Sequence, residues 1–281
     1  MIRIGSILVG LFFTVALAWS FVNGAIQFAQ EGKPATAEHE FHVHPHAPEG
    51  GFASDGVFGK FDKQQLQRGF QVYKEVCAAC HSLRLVAFRD LKALGYNDPE
   101  IKAIAAGFQV PGIDPNTGEA NTRPGLPIDY FPMPFANDVA ARAANNNAIP
   151  PDLSLMAKAR HNGGAYVYSL LVGYQDQPAE LLKKFPDSKT GPGLHYNPYF
   201  PNLNLAMAPP LTGEGQVSYA DGTKATVKQM SADVSAFLIW TAEPTLDKRK
   251  QTGWPVLGFL LFATILGYLS YKNIWADKKK H

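Results

Sequence analysis

Cysteine is almost absent from this chain. Of 281 residues only two are cysteine, Cys77 and Cys80. A four-thiolate zinc site would need a second pair, and none exists. The alternating strand-and-helix pattern that would house a thioredoxin-like Cys-x-x-Cys is missing too. Charge of one sign is also lacking. The chain has 26 basic and 24 acidic residues, a formal net charge of +2, so nothing demands a nucleic-acid partner. Two long, predominantly apolar stretches carry no charge, 4–30 and 251–271. Glycine (25) and proline (21), by contrast, are plentiful, and they point to long irregular loops rather than a continuous α/β sheet.

What is present is Val76-Cys77-Ala78-Ala79-Cys80-His81-Ser82. This is C-x-x-C-H, the attachment signal of a c-type haem. The two thiols can add across the two porphyrin vinyl groups, and the imidazole that follows can reach the iron. One covalently attached haem c would use both cysteines and leave none for a disulfide. Thioether attachment is made outside the cytoplasm, so the motif implies an exported domain.

The rest of the chain fits that frame. Residues 1–24 have a positive start at Arg3 and an apolar core, the form of an export signal, cleaved or retained as an anchor. Val22-Asn23-Gly24 allows a cut before Ala25, whereas Ala16-Leu17-Ala18 lies inside the apolar run. Residues 25–53 read as a polar linker. His39, His42, His44 and His46 stand in it without helix or strand period, as in a solvated segment that buries nothing. Helix is expected over 61–81, where Phe61, Leu66, Phe70, Tyr73 and Val76 recur at three- and four-residue steps behind an Asp62 cap. It would continue over 83–94 to a stop at Gly95, and another helix would start near Pro99. Six prolines exclude helix and central strand from 108–137. Short helices are expected at 138–145 and 155–160, the second capped by Asp152 or Ser154, and a further helix at 165–172. Asp221-Gly222 signals a β-hairpin at 217–223, and 226–242 reads as the last helix of the domain. Residues 251–273 then form a transmembrane helix, since 21 uncharged residues at 1.5 Å each span about 31 Å. Trp254, Tyr268 and Tyr271 suit its interfaces. Lys272 and Lys278-Lys279-Lys280 follow it in a short tail, 274–281.

A haem iron with one histidine leaves a second axial position. Met133, Met156, Met207, Met230, His161 and His195 are the candidates. Met156 and Met230 fall at apolar helical positions that suit a core. Met133 and Met207 both sit in rigid proline loops, Phe131-Pro132-Met133-Pro134 and Ala206-Met207-Ala208-Pro209-Pro210. Met133 has the closer spacing to His81, and Met207 precedes the last soluble helix. The residues alone leave both open.

Several longer stretches carry a resemblance. Gly69-Phe70-Gln71-Val72-Tyr73-Lys74-Glu75 leading into the haem motif is similar to the attachment helix of the cytochrome c1 family. Ala141-Arg142-Ala143-Ala144-Asn145 before Pro150-Pro151-Asp152-Leu153-Ser154, with Ala159-Arg160-His161, resembles that family's central signature. Tyr196-Asn197-Pro198-Tyr199-Phe200-Pro201 leads to Met207 in what looks like its ligand loop. The resemblance runs from Gly56 to the C-terminus. It implies a mainly α, cytochrome c-like haem domain over 54–246 with long loops, a small β-hairpin and one C-terminal span. It implies Cys77, Cys80 and His81 at the haem, Met207 as the second ligand, and Arg142 against a haem propionate. Tyr73, Phe88, Pro151 and Tyr199 would pack around the group, and His161 and His195 would be structural. The family is the haem subunit of quinol–cytochrome c reductase. The expected partners are therefore cytochrome b, the Rieske iron–sulfur subunit, a c-type cytochrome acceptor and membrane lipid. Electron transfer is expected, with no acid or base catalyst in the chain. The expected place is the inner membrane, with the haem domain on the periplasmic side. This chain has no extra cysteine pair, which some bacterial relatives carry. Where mitochondrial members have an acidic insert it offers only Asp114, Glu119 and Asp129.

Overall fold

The computed structural model describes residues 2–31, 36–276 and 278. Lys279 and Lys280 of the basic tail, and residues 32–35 of the polar segment, lie outside the described residues. In chain order the helices are α1 (Ile2–Glu31), α2 (Ala37–Phe41), α3 (Lys63–Val72), α4 (Asp98–Ala106), α5 (Asp138–Ala144), α6 (Met156–Ala159), α7 (Gly163–Val172), α8 (Ala179–Lys184), α9 (Val227–Ala242) and α10 (Leu246–Trp275). Two antiparallel pairs join them: β1 (Gln109–Ile113) with β2 (Ala120–Pro124), and β3 (His195–Tyr196) with β4 (Asn204–Leu205). The fold is mainly α, as the sequence implied. The chain divides into two units, Met1–His42 with Gln177–Lys189, and Val43–Asp176 with Thr190–His281.

In the first unit α1 is long and apolar enough to cross a membrane. Thr36 caps α2 by accepting the His39 N–H. Lys184 at the end of α8 pairs with Glu40 at 2.6 Å, and Phe41 meets Phe185 edge-on.

The second unit is organised on the crossing of α3 and α9. Asp62 caps α3, accepting the N–H groups of Gln64 and Gln65. A Cβ at Gly69 would lie 2.0 Å from the Asp233 carbonyl oxygen, so the two backbones touch there. Phe70 and Tyr73 from α3 and the turn after it pack on Phe237 of α9. Phe88, Phe108 and Phe131 complete an aromatic core with them. Asp233 is wholly buried at this crossing and is held by Arg68, 3.0 Å away. A buried carboxylate needs such a partner.

Four expectations are corrected. First, α3 does not run to His81. It stops at Val72, and Tyr73–Cys77 forms a wider π-type turn closed by Ala78 N–H on the Tyr73 carbonyl at 2.8 Å. Second, 83–94 is helical only over the 3-10 segment Phe88–Leu94, which ends at Gly95 with φ +104. Third, the hairpin is β1–β2, inside the proline-rich stretch, and not at 217–223. A two-stranded ribbon is all edge, so Pro111 and Pro124 take places in it that a central strand would refuse. At 217–223 Asp221 instead pairs with Arg68 and Tyr219 turns into the core. Fourth, the polar linker is anchored. Val43 N–H donates to Pro198, His46 N–H donates to the Ser169 hydroxyl, and the His46 ring stands edge-on to Tyr168 and Tyr199.

α10 covers the expected span and starts five residues before it. It too is long and apolar enough to cross a membrane, with every side chain from 254 to 275 exposed. Its first turn is tied to the second unit. Asp247 accepts the Phe61 N–H, and Glu243, just before the helix, pairs with both Arg249 and Lys158 of α6.

Candidate functional site

The turn Tyr73–Cys77 delivers the two cysteines. Cys77 accepts the N–H groups of Cys80 and His81 on its carbonyl, a tight turn that sets the two thiols close in sequence and space. Burial, with Cys80 beside it, pushes the Cys77 thiol up to about 12. A redox Cys-x-x-Cys pair needs the opposite, a lowered thiol.

His81 is oriented by backbone. Its Nδ1 lies 2.8 Å from the Pro151 carbonyl oxygen, which can only accept, so Nδ1 carries the proton and Nε2 is left as the free donor atom. Burial holds this imidazole below its ordinary value despite that bond and the nearby Asp152, which keeps it neutral. The Tyr73 hydroxyl donates to the His81 carbonyl at 3.0 Å. Around this point two chain segments are laced together. Asp152 accepts the Ser82 hydroxyl, the Arg84 N–H and the Ser154 N–H, while Ser154 accepts the Leu85 N–H and Leu153 N–H donates to Ser82. Burial opposes the Asp152 charge, yet those donors hold its carboxyl below the ordinary range. Asp152 and Ser154 thus do not cap the helix after them, as the sequence suggested; α6 has no side-chain cap.

The candidate second ligands separate by position. Met230 is fully buried in the core of α9, and Met156 is half-buried at the start of α6. Met133 is 62 % exposed, a poor setting for a thioether that must exclude water. Met207 is half-buried, and the Tyr174 hydroxyl donates to its carbonyl at 3.0 Å. Its loop is braced by Asn197, whose amide donates to Leu170 of α7 at 2.7 Å and whose N–H donates to Leu203. Leu203 is held at φ +66, an unusual conformation for a buried leucine that the surrounding bonds must maintain.

Arg142 sits on α5 with Nη1 on the Asn147 carbonyl at 2.8 Å. A cavity of about 290 Å³ lies elsewhere, lined by Pro151, Asp152, Met156, Ala159 and two cations, Arg84 and Arg160. The structure therefore adds three groups that sequence reasoning did not single out: the Pro151 carbonyl, the Tyr174 hydroxyl and Arg160. A backbone carbonyl has no sequence signature, and Tyr174 lies 33 residues from the Met207 carbonyl it meets. Phe88 and Tyr73 are buried by protein alone, so the core takes their rings. Of the three acidic residues in the proline-rich stretch, Asp129 is used by Arg123 at 2.6 Å, and Asp114 accepts two N–H groups of its own turn.

A neutral imidazole beside two neighbouring thiols suits a haem group, with Met207 in its braced loop a candidate for the second ligand, and on a mainly helical frame these are the marks of a haem protein. The Cytochrome C1 family model matches residues 52–278. Cytochrome c1 of Rhodospirillum rubrum is 47% identical over 233 residues, 80% of this chain and 85% of that protein. The mitochondrial heme protein cytochrome c1 of Saccharomyces cerevisiae is 44% identical over 244 residues, 87% of this chain and 74% of that protein. A Bradyrhizobium diazoefficiens protein named cytochrome b/c1 is 44% identical over 237 residues, 79% of this chain and 34% of that protein. The chain belongs to the cytochrome c1 family. Membership implies a haem cofactor and a part in electron transport.

Proposed function

We propose that this chain is the membrane-anchored haem subunit of a quinol–cytochrome c reductase, carrying single electrons from a Rieske iron–sulfur protein to a c-type cytochrome. The observation that carries the reading is the Pro151 carbonyl on His81 Nδ1, which leaves Nε2 as the donor atom on the residue that directly follows the thiol pair. Cys77 and Cys80 would hold one haem c by thioether bonds, and His81 and Met207 would ligate it. When bound, the group supplies one reversible one-electron centre, and imidazole with thioether favours a high potential. With His81 and Met207 both holding the group, the chain's residues would exclude substrate rather than activate it. His81 is positioned by Pro151, and Asp152 and Ser154 hold the segment that carries that carbonyl. The Tyr174 hydroxyl and Asn197 keep the Met207 loop closed.

A haem propionate needs a cationic partner. Arg142 fills that role by family resemblance, and one bond to Asn147 leaves it four further donors. Arg160 competes by position, on the cavity beside Pro151. Arg142→Gln and Arg160→Gln separate them: the partner's loss lowers the potential, because a nearby cation stabilises the reduced state.

The name cytochrome b/c1 joins this kind of chain to a cytochrome b, which supports a place in the complex rather than a free carrier. The 251–273 segment of α10 would be the anchor, with residues 274–281 inside and the haem domain, 54–246, in the periplasm. Residues 1–24 would direct export. Purification from native membranes tests the reading. A reduced spectrum should show c-type haem resistant to acid acetone, no carbon monoxide binding and co-purifying b-type haem. A haem that extracts, or a five-coordinate ferrous spectrum, would overturn it.

A further inference from the structure

Residues 54–59 form a small loop against the start of α10, and its shape is built around one cation. The Lys250 ammonium donates to the carbonyls of Ser54, Gly56 and Gly59, at 2.7, 2.6 and 3.1 Å. Lys60 N–H closes the loop on the Ala53 carbonyl. Gly56 has φ +68, and a Cβ on Gly59 would lie 1.9 Å from the Asp55 carbonyl oxygen, so the bend needs both glycines. This rigid turn presents two apolar side chains outward, Val57 at 62 % and Phe58 at 79 % exposure. Phe52, just before it, is buried in the core, so the segment sorts its apolar residues rather than exposing them all.

The exposed pair is continuous with α10. Phe58 stacks on Trp254, ring centroids 5.4 Å apart and planes 11° from parallel. Trp254 stands four residues after Lys250, inside the charge-free run. Lys60, two residues after Phe58, and Lys248, six before Trp254, are both exposed, while the carboxylates of this stretch accept backbone N–H groups: Asp55 from Phe52, Asp62 from the start of α3, Asp247 from Phe61. Aromatic rings at the entry of an apolar helix, with exposed lysines close by in sequence, match the chemistry of an anionic lipid headgroup layer over acyl chains.

We propose that Val57 and Phe58 insert into the interfacial layer of the bilayer beside Trp254, a second foothold that fixes the haem domain's height and tilt over the membrane. This rests on α10 being the membrane span. The test uses the full-length haem-loaded chain in vesicles of phosphatidylcholine and phosphatidylglycerol, spin-labelled in turn at Val57→Cys, Leu261→Cys and Asn116→Cys. Collision rates with oxygen and with a water-soluble nickel chelate report depth. The ratio of oxygen to nickel collisions at 57 should exceed that at 116 several-fold and fall short of that at 261. A water-like ratio at 57 with a lipid-like ratio at 261 overturns the foothold alone. Low collision rates with both reagents at 57 would mean that protein covers it, and would also overturn the foothold. A water-like label at 261 overturns the span and the foothold together.

Discussion

The two sides of the candidate haem site are built by different means. On the His81 side the candidate ligand's own side chain is held, with Nδ1 on a carbonyl, and the segment supplying that carbonyl is laced to 82–85 by four further hydrogen bonds. On the Met207 side only the backbone is held, by Tyr174 on its carbonyl and by Asn197 on the loop. A thioether accepts hydrogen bonds too weakly to be steered as an imidazole is. His81, the proposed proximal ligand, is thus prearranged, whereas Met207, the proposed distal one, would rely on a loop shape and on the iron it would meet. Relying on loop shape leaves the distal side more open to exchange.

The sharpest way to break this contrast is Met207→Leu. The variant should fold, keep its thioether-bound haem, lose a few tenths of a volt from the ~0.8 V range that axial ligands command, and bind carbon monoxide in the ferrous state. Met133→Leu, at an exposed position, should leave the potential where it was. Redox titration and a carbon monoxide difference spectrum check both. An unchanged potential in Met207→Leu would remove that residue from the site.

Next in size is the proximal lacing. Asp152→Ala removes the acceptor of three donors and leaves the Arg84 and Ser154 N–H groups unmet, a loss of about 3 kcal/mol read by denaturant unfolding. Acid should act the same way. The folded carboxyl lies below its ordinary 3.8, so its contribution is complete above that value and disappears as pH falls through the folded one. Asp152→Ala should flatten that acid limb. If both proteins lose stability along the same curve, Asp152 is not the group that titrates.

The same contrast explains what could be read from the chain. The proximal side is a local motif with a helix and a cap in front of it, and Cys77, Cys80, His81 and the Asp62 cap are all visible within 20 residues. Helices such as α4, with Asn97 capping and Pro99 in its first turn, and α9, starting after Thr226, announce themselves by period and cap. The distal side is topological. Met207 and Met133 have similar proline surroundings, and only burial and the reach of Tyr174 across 33 residues distinguish them. The hairpin is expected at 217–223 on the Asp221-Gly222 turn signal alone, whereas the proline-rich stretch, barred only from a central strand, forms a ribbon with two free edges that tolerates proline. The π-type turn before Cys77 was not legible because its apolar spacing continues that of a regular helix, and only the bond from Ala78 to Tyr73 shows the extra residue.

The smallest effect tests the distal bracing directly. Tyr174→Phe deletes one hydroxyl and keeps the ring. Burial raises this phenol, with Tyr166 adding to the shift, so it remains a protonated donor at any working pH, and its single bond should contribute about 1 kcal/mol. If the distal side rests on loop shape, that loss should fall on the Met207 position rather than on global stability. The potential should drop slightly, and carbon monoxide should begin to compete for the iron at high concentration while the unfolding midpoint barely moves. An equal loss in unfolding with no change at the iron would mean that Tyr174 braces α7 instead. Met207 would then be held by the metal bond alone.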